Sequence, residues 1–254
     1  MATQVGSQAV DRASALLTLV VESGGPRTFT SLVDELGLAK STTSRLLQAL
    51  ERSRLVQRDH AGAFRPGALF SLYAARPSAL HDLAELARPT LERLGELSEE
   101  TVNLAVPRGS EMVQIAQVDS RFVVGATNWV GVDVPSHCTA LGKVLLAYRA
   151  GGVGLPEEMT SFTRRTVVTP AELRPMLDRV REKGWGEEVE EHTLGAAAIA
   201  APIRGYGGLV VGAIGISGPV ERVCDSHYRP RANLVGFVRE AARAVSRDLG
   251  AAKL

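Results

Sequence analysis

One stretch of the sequence combines a run of small hydroxyl side chains with an arginine, a set of hydrogen-bond donors suited to binding a partner molecule. Residues 41–44 read STTS, Arg45 follows, and the segment then continues with helical spacing. Hydroxyl residues rank poorly inside helices because they compete for backbone hydrogen bonds. On an exposed first turn, however, hydroxyls and free N–H groups can contact phosphate oxygens, and an arginine can bind guanine through two hydrogen bonds. The pattern predicts contact with DNA.

A helical wheel at about 100° per residue divides this segment into two faces. The apolar side holds Thr43, Leu46, Leu47 and Leu50, which we expect to pack against neighbouring helices. The opposite side holds Ser41, Arg45, Gln48 and Arg52, and the first acid is Glu51. A simpler interpretation is that Ser41 only caps a solvent-exposed helix. The flanking elements decide against it.

Two helices, the second of them short, are predicted before this segment and a hairpin after it. "VDRASALLTLVVES" and "TSLVDELG" have helical spacing, and Gly37 stands where a left-handed C-cap belongs. A tight glycine turn between two helices is typical of a helix-turn-helix. "LVQRDHAGAFRPG" reads as a basic hairpin, or wing, along the phosphate backbone. The predicted DNA-contacting residues are Thr28, Lys40, Ser41, Thr42, Ser44, Arg45, Gln48, Arg58 and His60.

Charge and length support two domains with different partners. Of the 254 residues, the first 80 carry nine Lys or Arg and six Asp or Glu, a net +3, whereas the rest carries a net −2. No apolar run reaches the roughly 18 residues that span a bilayer, and the N-terminus does not read as a signal peptide. The two cysteines therefore read as reduced thiols, and we expect a cytoplasmic protein with no membrane partner.

The adjacent His137 and Cys138 are the best candidates for catalysis, and they are weak ones. A thiol nucleophile needs a base within hydrogen-bond reach, whereas neighbours along a strand point to opposite faces. The five histidines show no metal-ligand spacing, and "GGVGLP" lacks the residues of a phosphate-binding loop. We predict no catalytic residues, no metal and no cofactor, and therefore not an enzyme.

The remaining sequence predicts an α+β domain with an antiparallel sheet. "TVNLAV", "EMVQIAQV", "RFVVGAT", "AAIAAPI" and "GLVVGAIGIS" read as strands, and "TALGKVLLAY", "PAELRPMLDRVREKG" and "RPRANLVGFVREAARAVSRDL" as helices. In front of them, "PSALHDLAELARPTLERLGELS" predicts a linker helix that stops or kinks near Pro89, followed by a second helix. Its leucine stripe could pack on a partner subunit or on its own domain, and the sequence does not distinguish the two.

Several motifs in order resemble one family, the isocitrate lyase regulator (IclR) family of bacterial transcription factors. They are "GLAKSTTSRLLQALERSRLVQRD", "LARPTLERLGELSEETVNLAV", "SHCTALGKVLLA", "GWGEEVEEHTLGAAAIAAPI" and "GAIGISGP". The resemblance implies a winged helix-turn-helix over residues 1–70, a linker helix over 71–86, and a GAF- or PAS-like effector-binding and oligomerisation domain over 87–254. It also implies a homodimer or homotetramer on a pseudo-palindromic DNA operator, more often as a repressor.

Matching motif to motif, the resemblance implies an effector pocket lined by Val123, Ala126, Ala140, Leu141, Glu188, Ala198, Gly215 and Ser217. Two of these positions depart from the family's small-acid sensors, because Ala198 replaces a thiol or hydroxyl residue and Gly215 replaces a serine. We therefore expect a roomier, more apolar pocket. Its small-molecule effector would be an aromatic or larger organic acid rather than a two- or three-carbon keto acid.

Two other classes of function stay open on the sequence alone. One is a hydrolase or transferase that uses Cys138, and the other is an architectural DNA-binding protein that senses no ligand. Replacing Cys138 by alanine separates the first from a regulator, and a metabolite thermal-shift screen separates the second.

Overall fold

The structure, a computed structural model, describes residues 8–23, 25–74, 76, 78–108, 111–122 and 128–251. The chain divides into two units, residues 1–79 and residues 80–254. The sequence places domain boundaries at residues 70 and 86, on either side of this division, and these two boundaries stay predictions.

The first unit is a winged helix-turn-helix. Its helices are α1 (Gln8–Glu22), α2 (Phe29–Leu36), α3 (Lys40–Arg52) and α4 (Ala68–Ala74), and its wing pairs β1 (Val56–Arg58) with β2 (Phe64–Pro66) in antiparallel fashion. The three-helix arrangement forms because each helix has one apolar side. Leu16 and Val20 of α1, Leu32 of α2, and Leu47 of α3 are fully buried together with Phe64.

Local chemistry sets the ends of α2. The Thr28 side chain caps its start by accepting a hydrogen bond from Ser31 N at 3.2 Å. Gly37 ends it at φ 62°, a left-handed conformation that favours glycine, and its N–H donates to Val33 O. The turn between α2 and α3 contains only three residues, 37–39, as the sequence predicts.

The second unit is an α+β domain around a five-stranded antiparallel sheet. Helix α5 (Ser78–Ser98) leads into β3 (Thr101–Arg108) and β4 (Glu111–Val118), then α6 (Ala140–Ala147) and α7 (Pro170–Lys183). Strands β5 (Gly186–Val189), β6 (Ala196–Arg204) and β7 (Val210–Pro219) follow, with α8 (Val220–Val223) and α9 (Ala232–Asp248). The strand order is β4-β3-β7-β6-β5.

Helices cover both faces of this sheet. One face packs Leu104, Ile199 and Ile216 against Leu91 of α5 and Val238 of α9. The other face packs Ala105, Ala200 and Ala213 against α6 and α7. Small residues on the second face bring α6 close to the strands.

Helix α5 corrects the expected break at Pro89. The helix runs unbroken from Ser78 to Ser98, with Pro89 inside it. Pro89 is exposed, so the loss of one backbone hydrogen bond leaves no buried group unpaired. Ala87, Leu91 and Leu94 on the same helix are buried against the sheet, and this packing outweighs the local cost.

The leucine stripe of α5 packs in part on its own domain, and packing on a partner subunit stays a prediction. Its C-terminal part packs on its own domain, whereas Leu80 and Leu86 are exposed on the surface. The exposed part is available to another subunit.

Four further elements differ from the sequence-based expectation or extend it. Of "RFVVGAT", the structure describes only residues 121–122, which form a bend rather than a strand, and residues 123–127 lie outside the described ranges. The strand β5 and the short helices α4 and α8 were not expected. They are too short for periodicity to reveal them.

Candidate functional site

The first turn of α3 is exposed and has no side-chain cap. Lys40, Ser41 and Arg45 are exposed, and Thr42 and Ser44 are half-buried beside them. The N-cap position is Ala39, whose side chain forms no capping hydrogen bond. Ser41 therefore does not cap the helix, and the N–H groups of the first turn remain free to meet an anion.

The other side of α3 confirms the wheel. Thr43 and Leu47 are fully buried, Leu50 is nearly so, and Gln48 faces solvent with Arg45. The Thr43 hydroxyl donates to Ala39 O at 3.3 Å, so its burial leaves no polar atom unpaired.

The basic residues of the wing differ in how many contacts they make within the protein. Arg58 pairs with Glu51 at 2.9 Å between Nε and Oε1, and its guanidinium lies 4.5 Å from the ring centre of Phe64. Arg65, one rung along the hairpin, is exposed and has no ion pair with the described residues. His60 is exposed at the tip. Arg65 lies in the predicted basic hairpin but is not among the predicted DNA-contacting residues, and only the contacts single it out.

The second unit encloses a cavity of about 760 Å³. Its floor is the sheet face of β3, β4, β6 and β7, and its walls are the start of α6, the segment after β5 and the loop around Trp129. Of the eight residues expected there, six line the cavity: Ala140, Leu141, Glu188, Ala198, Gly215 and Ser217. Val123 and Ala126 lie outside the described residues.

The start of α6 presents backbone donors to this cavity. Thr139 caps the helix by accepting from Gly142 N at 3.2 Å, and its own hydroxyl donates to Pro135 O. Within the described part of the chain, the N–H groups of Ala140 and Leu141 have no hydrogen-bond partner. Both residues line the cavity, so a helix N-terminus with two free donors faces the space that a ligand would fill.

The close approach at this turn depends on Gly142. A side-chain carbon at this position would lie 2.3 Å from Ser136 Cα and 2.4 Å from Ser136 O. The turn "SHCTALGK" can therefore fold back on the helix start only because residue 142 has no side chain.

Glu188 is a buried acid in the cavity wall. Its Oε1 accepts hydrogen bonds from Glu191 N at 2.8 Å and His192 N at 3.1 Å. Burial, the largest cause, raises the pKa of Glu188 to about 7. Behind it, Lys143 Nζ pairs with Glu191 Oε1 at 2.6 Å, and both residues are buried. Glu188 can therefore exchange a proton close to neutral pH.

Gly215 does not enlarge the cavity in the way that the sequence suggested. A side-chain carbon there would lie 2.4 Å from Ile199 O on the adjacent strand, so the backbone itself occupies the space. Ala198, half-buried on β6, is small and apolar as expected. The expectation of a roomier pocket was wrong at Gly215, and the volume arises elsewhere on the sheet face.

Two amide side chains in the cavity were missed by sequence analysis. Asn103 and Gln114 both line it and are buried, and the side-chain oxygen of each has no hydrogen-bond partner. Asn103 Nδ2 donates to Ser217 Oγ at 3.0 Å. The sequence did contain one indication, an asparagine inside the otherwise apolar strand "TVNLAV". A polar residue is uncommon at such a buried position and can mark a binding site.

Aromatic and charged groups border the cavity. Trp129 meets the His192 ring edge-on with ring centres 5.8 Å apart, and burial lowers the pKa of His192. The Arg222 guanidinium binds the buried Glu100 carboxylate through two hydrogen bonds of 2.6 and 2.7 Å and lies 4.0 Å from the ring centre of Phe122. This charge pair is satisfied internally.

The geometry gives Cys138 no role as a nucleophile. Cys138 is fully buried, and burial raises its thiol pKa to about 12, so the thiol holds its proton. His137 and Cys138 lie in a series of bends rather than in a strand, which corrects the reasoning from strand alternation. His137 Nε2 instead forms a hydrogen bond with Thr160 O at 3.0 Å.

Neither a metal-binding cluster nor a membrane-spanning helix is found among the described residues. These contain no cluster of three or more His, Cys, Asp or Glu side chains placed to hold a metal ion. Within the same ranges, no helix combines the length and apolar character needed to cross a bilayer.

A winged helix-turn-helix joined to a domain with a ligand-sized cavity defines a ligand-responsive transcription regulator. Residues 9–60 match the model of the IclR helix-turn-helix domain, and residues 78–247 match that of the bacterial transcriptional regulator IclR C-terminal domain. The chain belongs to the IclR family.

Similar proteins span the whole length. The chain is 38% identical to a glycerol operon regulatory protein of Streptomyces coelicolor, covering 97% of this chain and 98% of that one. It is 33% identical to the transcriptional repressor AllR of Salmonella typhi, covering 97% and 92%. The crystal structure of the Agobacterium tumefaciens repressor BlcR is 26% identical and superposes with a TM-score of 0.59, covering 98% and 99%.

Proposed function

We propose that this protein represses transcription by placing the first turn of α3 in the major groove of a pseudo-palindromic operator, and that an organic acid in the cavity controls it. The observation that carries the proposal is the uncapped, acid-free α3 tip in a unit that also holds a basic wing. Free N–H groups and small hydroxyls approach phosphates, while Arg45 reaches base edges.

The names of the similar proteins support repression rather than activation. AllR and BlcR are named as repressors, and the Streptomyces relative is named as the regulator of a glycerol operon. Effector control requires that the acid bind the DNA-competent and DNA-incompetent states with different affinity.

The cavity favours an aromatic or larger organic acid. The two free N–H groups at the start of α6 suit a carboxylate, and protonated Glu188 can donate to it. Met112, Trp129 and Val134 supply apolar walls. A volume of about 760 Å³ is that of a drug-sized pocket and exceeds what a two-carbon acid would fill.

A homo-oligomer is the proposed assembly. Leu69 and Leu72 are exposed on α4, and Leu80 and Leu86 are exposed on α5. We expect another subunit to cover part of each of these two helices. A two-fold dimer would present two α3 helices to half-sites about one helical turn apart.

The test combines footprinting with calorimetry. We expect the full chain to protect a pseudo-palindromic site in the DNA upstream of its own gene or the flanking genes. Aromatic carboxylic acids should bind by calorimetry and weaken that protection. Binding of glyoxylate or pyruvate without binding of aromatic acids would contradict the effector class.

A control addresses the enzymatic alternative. Cys138→Ala should leave both operator protection and acid binding unchanged, because the thiol is buried and protonated. Loss of a chemical conversion of the acid in that variant would contradict the assignment as a regulator alone.

A further inference from the structure

The cavity has a second polar end, away from Glu188 and the start of α6. There, Asn103 and Gln114 stand on neighbouring strands of the sheet face, with side chains 4% and 5% exposed. Their oxygens, Asn103 Oδ1 and Gln114 Oε1, are both buried without a hydrogen-bond partner. Buried polar groups are nearly always paired in folded proteins, so two orphans in one cavity need an explanation.

The strand register separates this pair from the acid. Glu188 on β5 lies opposite Ala198 on β6, which lies opposite Ser217 on β7. Asn103 is on β3, next to β7, and Gln114 is on β4 at the edge of the sheet. With about 4.8 Å between neighbouring strands, Asn103 stands three strands, or roughly 14 Å, from Glu188 across the floor.

A side-chain contact orients the Asn103 amide, and backbone contacts hold the strand position of Gln114. Asn103 Nδ2 is committed to Ser217 Oγ at 3.0 Å, so its oxygen is the free part. The backbone of Gln114 is held on both sides, because its C=O accepts from Gly131 N at 2.8 Å within the loop that carries Trp129. Both free atoms are acceptors and therefore need a donor.

The surroundings select a neutral donor. Met112, two residues before Gln114 on β4, and Val134, whose N–H donates to Met112 O at 3.5 Å, also line the cavity and are apolar. Among the described lining residues the acids are Glu100 and Glu188, and Arg222 already occupies both oxygens of Glu100. An ammonium group beside Asn103 would lie buried without a counter-charge, which is costly, whereas a hydroxyl would not.

We propose that Asn103 and Gln114 form a second ligand subsite that binds a hydroxyl group at the end of the effector distal to its carboxylate. This inference rests on the proposed effector cavity and deepens it. The effector class is then a hydroxylated acid with an apolar scaffold between its two polar ends. The hydroxyl donates to an amide oxygen that is otherwise unpaired, and this gain is absent for the same acid without the hydroxyl.

The experiment compares two matched pairs of acids by calorimetry on the full chain. The pairs are 3-(4-hydroxyphenyl)propionate with 3-phenylpropionate, and 4'-hydroxybiphenyl-4-carboxylate with biphenyl-4-carboxylate, which differ in span. We expect the hydroxylated member of at least one pair to bind about tenfold more tightly to the wild type. In Gln114→Met, a variant of similar volume without the amide, that preference should fall to about twofold or less.

Two controls keep the result specific. Ser120→Ala removes a hydroxyl from the same cavity lining and should retain the tenfold preference. The unhydroxylated acids should bind Gln114→Met as they bind the wild type. A crystal structure of the wild type with the preferred acid should place its hydroxyl within about 3.2 Å of Asn103 Oδ1 or Gln114 Oε1.

The outcomes separate this inference from the proposed function. If all four acids bind with no hydroxyl preference, or if Gln114→Met keeps the preference, the second subsite is wrong while the effector cavity stands. If none of the acids binds, both are overturned for this class. If the hydroxyl lies elsewhere in the crystal structure, the assignment to these two amides is wrong.

Discussion

Arg45 is the residue on which sequence-specific recognition should depend most. It is exposed on the α3 tip and has no ion pair among the described residues, so its five donors are free for a base edge. Arg45→Ala should weaken specific operator binding by about 1–3 kcal/mol in a fluorescence-anisotropy titration.

The Arg45→Lys variant separates base contact from charge. Lysine keeps the positive charge but not the planar fork, so the salt dependence should persist while discrimination against a mutated operator falls. If both variants gave the same footprint as the wild type, α3 would not be the recognition helix.

The two wing arginines are expected to differ. Arg58 is paired with Glu51 and stacked on Phe64, whereas Arg65 is unpaired within the described chain. Arg65→Gln should lower the slope of log affinity against log salt by about one, and Arg58→Gln by less, with sequence preference unchanged in both. Equal slopes for the wild type and Arg65→Gln would show that the hairpin does not contact phosphates.

Glu188 should make the stability of the protein depend on pH. Burial raises its pKa from the ordinary 4.5 to about 7 in the folded protein. Below pH 4.5 the acid is protonated in both states and costs nothing. As the pH rises from 4.5 to 7 the unfolded chain ionises this acid while the folded state keeps it protonated, so the unfolding free energy falls. Relative to Glu188→Gln, the wild type should lose up to about 3 kcal/mol of unfolding free energy between pH 5 and pH 8.

A neighbour on the same strand provides the control for Glu188. Glu187 pairs with Lys183 at the surface, at 3.5 Å. Glu187→Gln should change the unfolding free energy little and equally at both pH values, measured by urea denaturation. A pH profile of Glu188→Gln that parallels the wild type would contradict a raised pKa.

At the scale of elements, the start of α6 depends on one glycine. Gly142→Ala would place a carbon about 2 Å from the Ser136 backbone, which must then move and shift the two free N–H groups. We expect this variant to lose several kcal/mol of stability and to bind organic acids at least tenfold more weakly, as measured by calorimetry. Gly236, in α9, has open space around it, so Gly236→Ala should instead stabilise by about 0.5–1 kcal/mol.

Helix α5 illustrates how packing overrides a local signal. Pro89 predicts a break, yet the helix continues because Leu91 and Leu94 are buried on the far side of it. The sequence contained both signals, but it did not state which would prevail. Only the sheet beneath these leucines decides the matter.

At the scale of the whole molecule, the exposed leucines should control assembly. Leu72 is 53% exposed on α4 and is proposed to be covered in the oligomer. Leu72→Glu should shift the chain towards monomer in sedimentation velocity and weaken binding to a full operator far more than to a half-site. Leu209→Glu changes a leucine of the second unit that is 65% exposed, and a matching loss of assembly there would argue against α4 as the interface.

The sequence by itself determined the two-domain plan, the α+β class and the division of α3 into a buried and an exposed face. Those features follow from periodicity, turn residues and motif order, which are local properties of the chain. Thr43 is an example of what local periodicity can predict, because its position on the helical wheel is enough to predict that it is buried.

Only the tertiary structure decided which side chains share a cavity and which charges are already paired. Asn103, Gln114 and Glu188 are far apart in sequence, and strand register brings them to one sheet face. The pairing of Arg58 with Glu51, and the lack of room at Gly215, likewise depend on what the fold places opposite each residue. Contacts between distant segments have no local signature, so the exposed first turn of α3 could be predicted from sequence while the shape and polarity of the cavity could not.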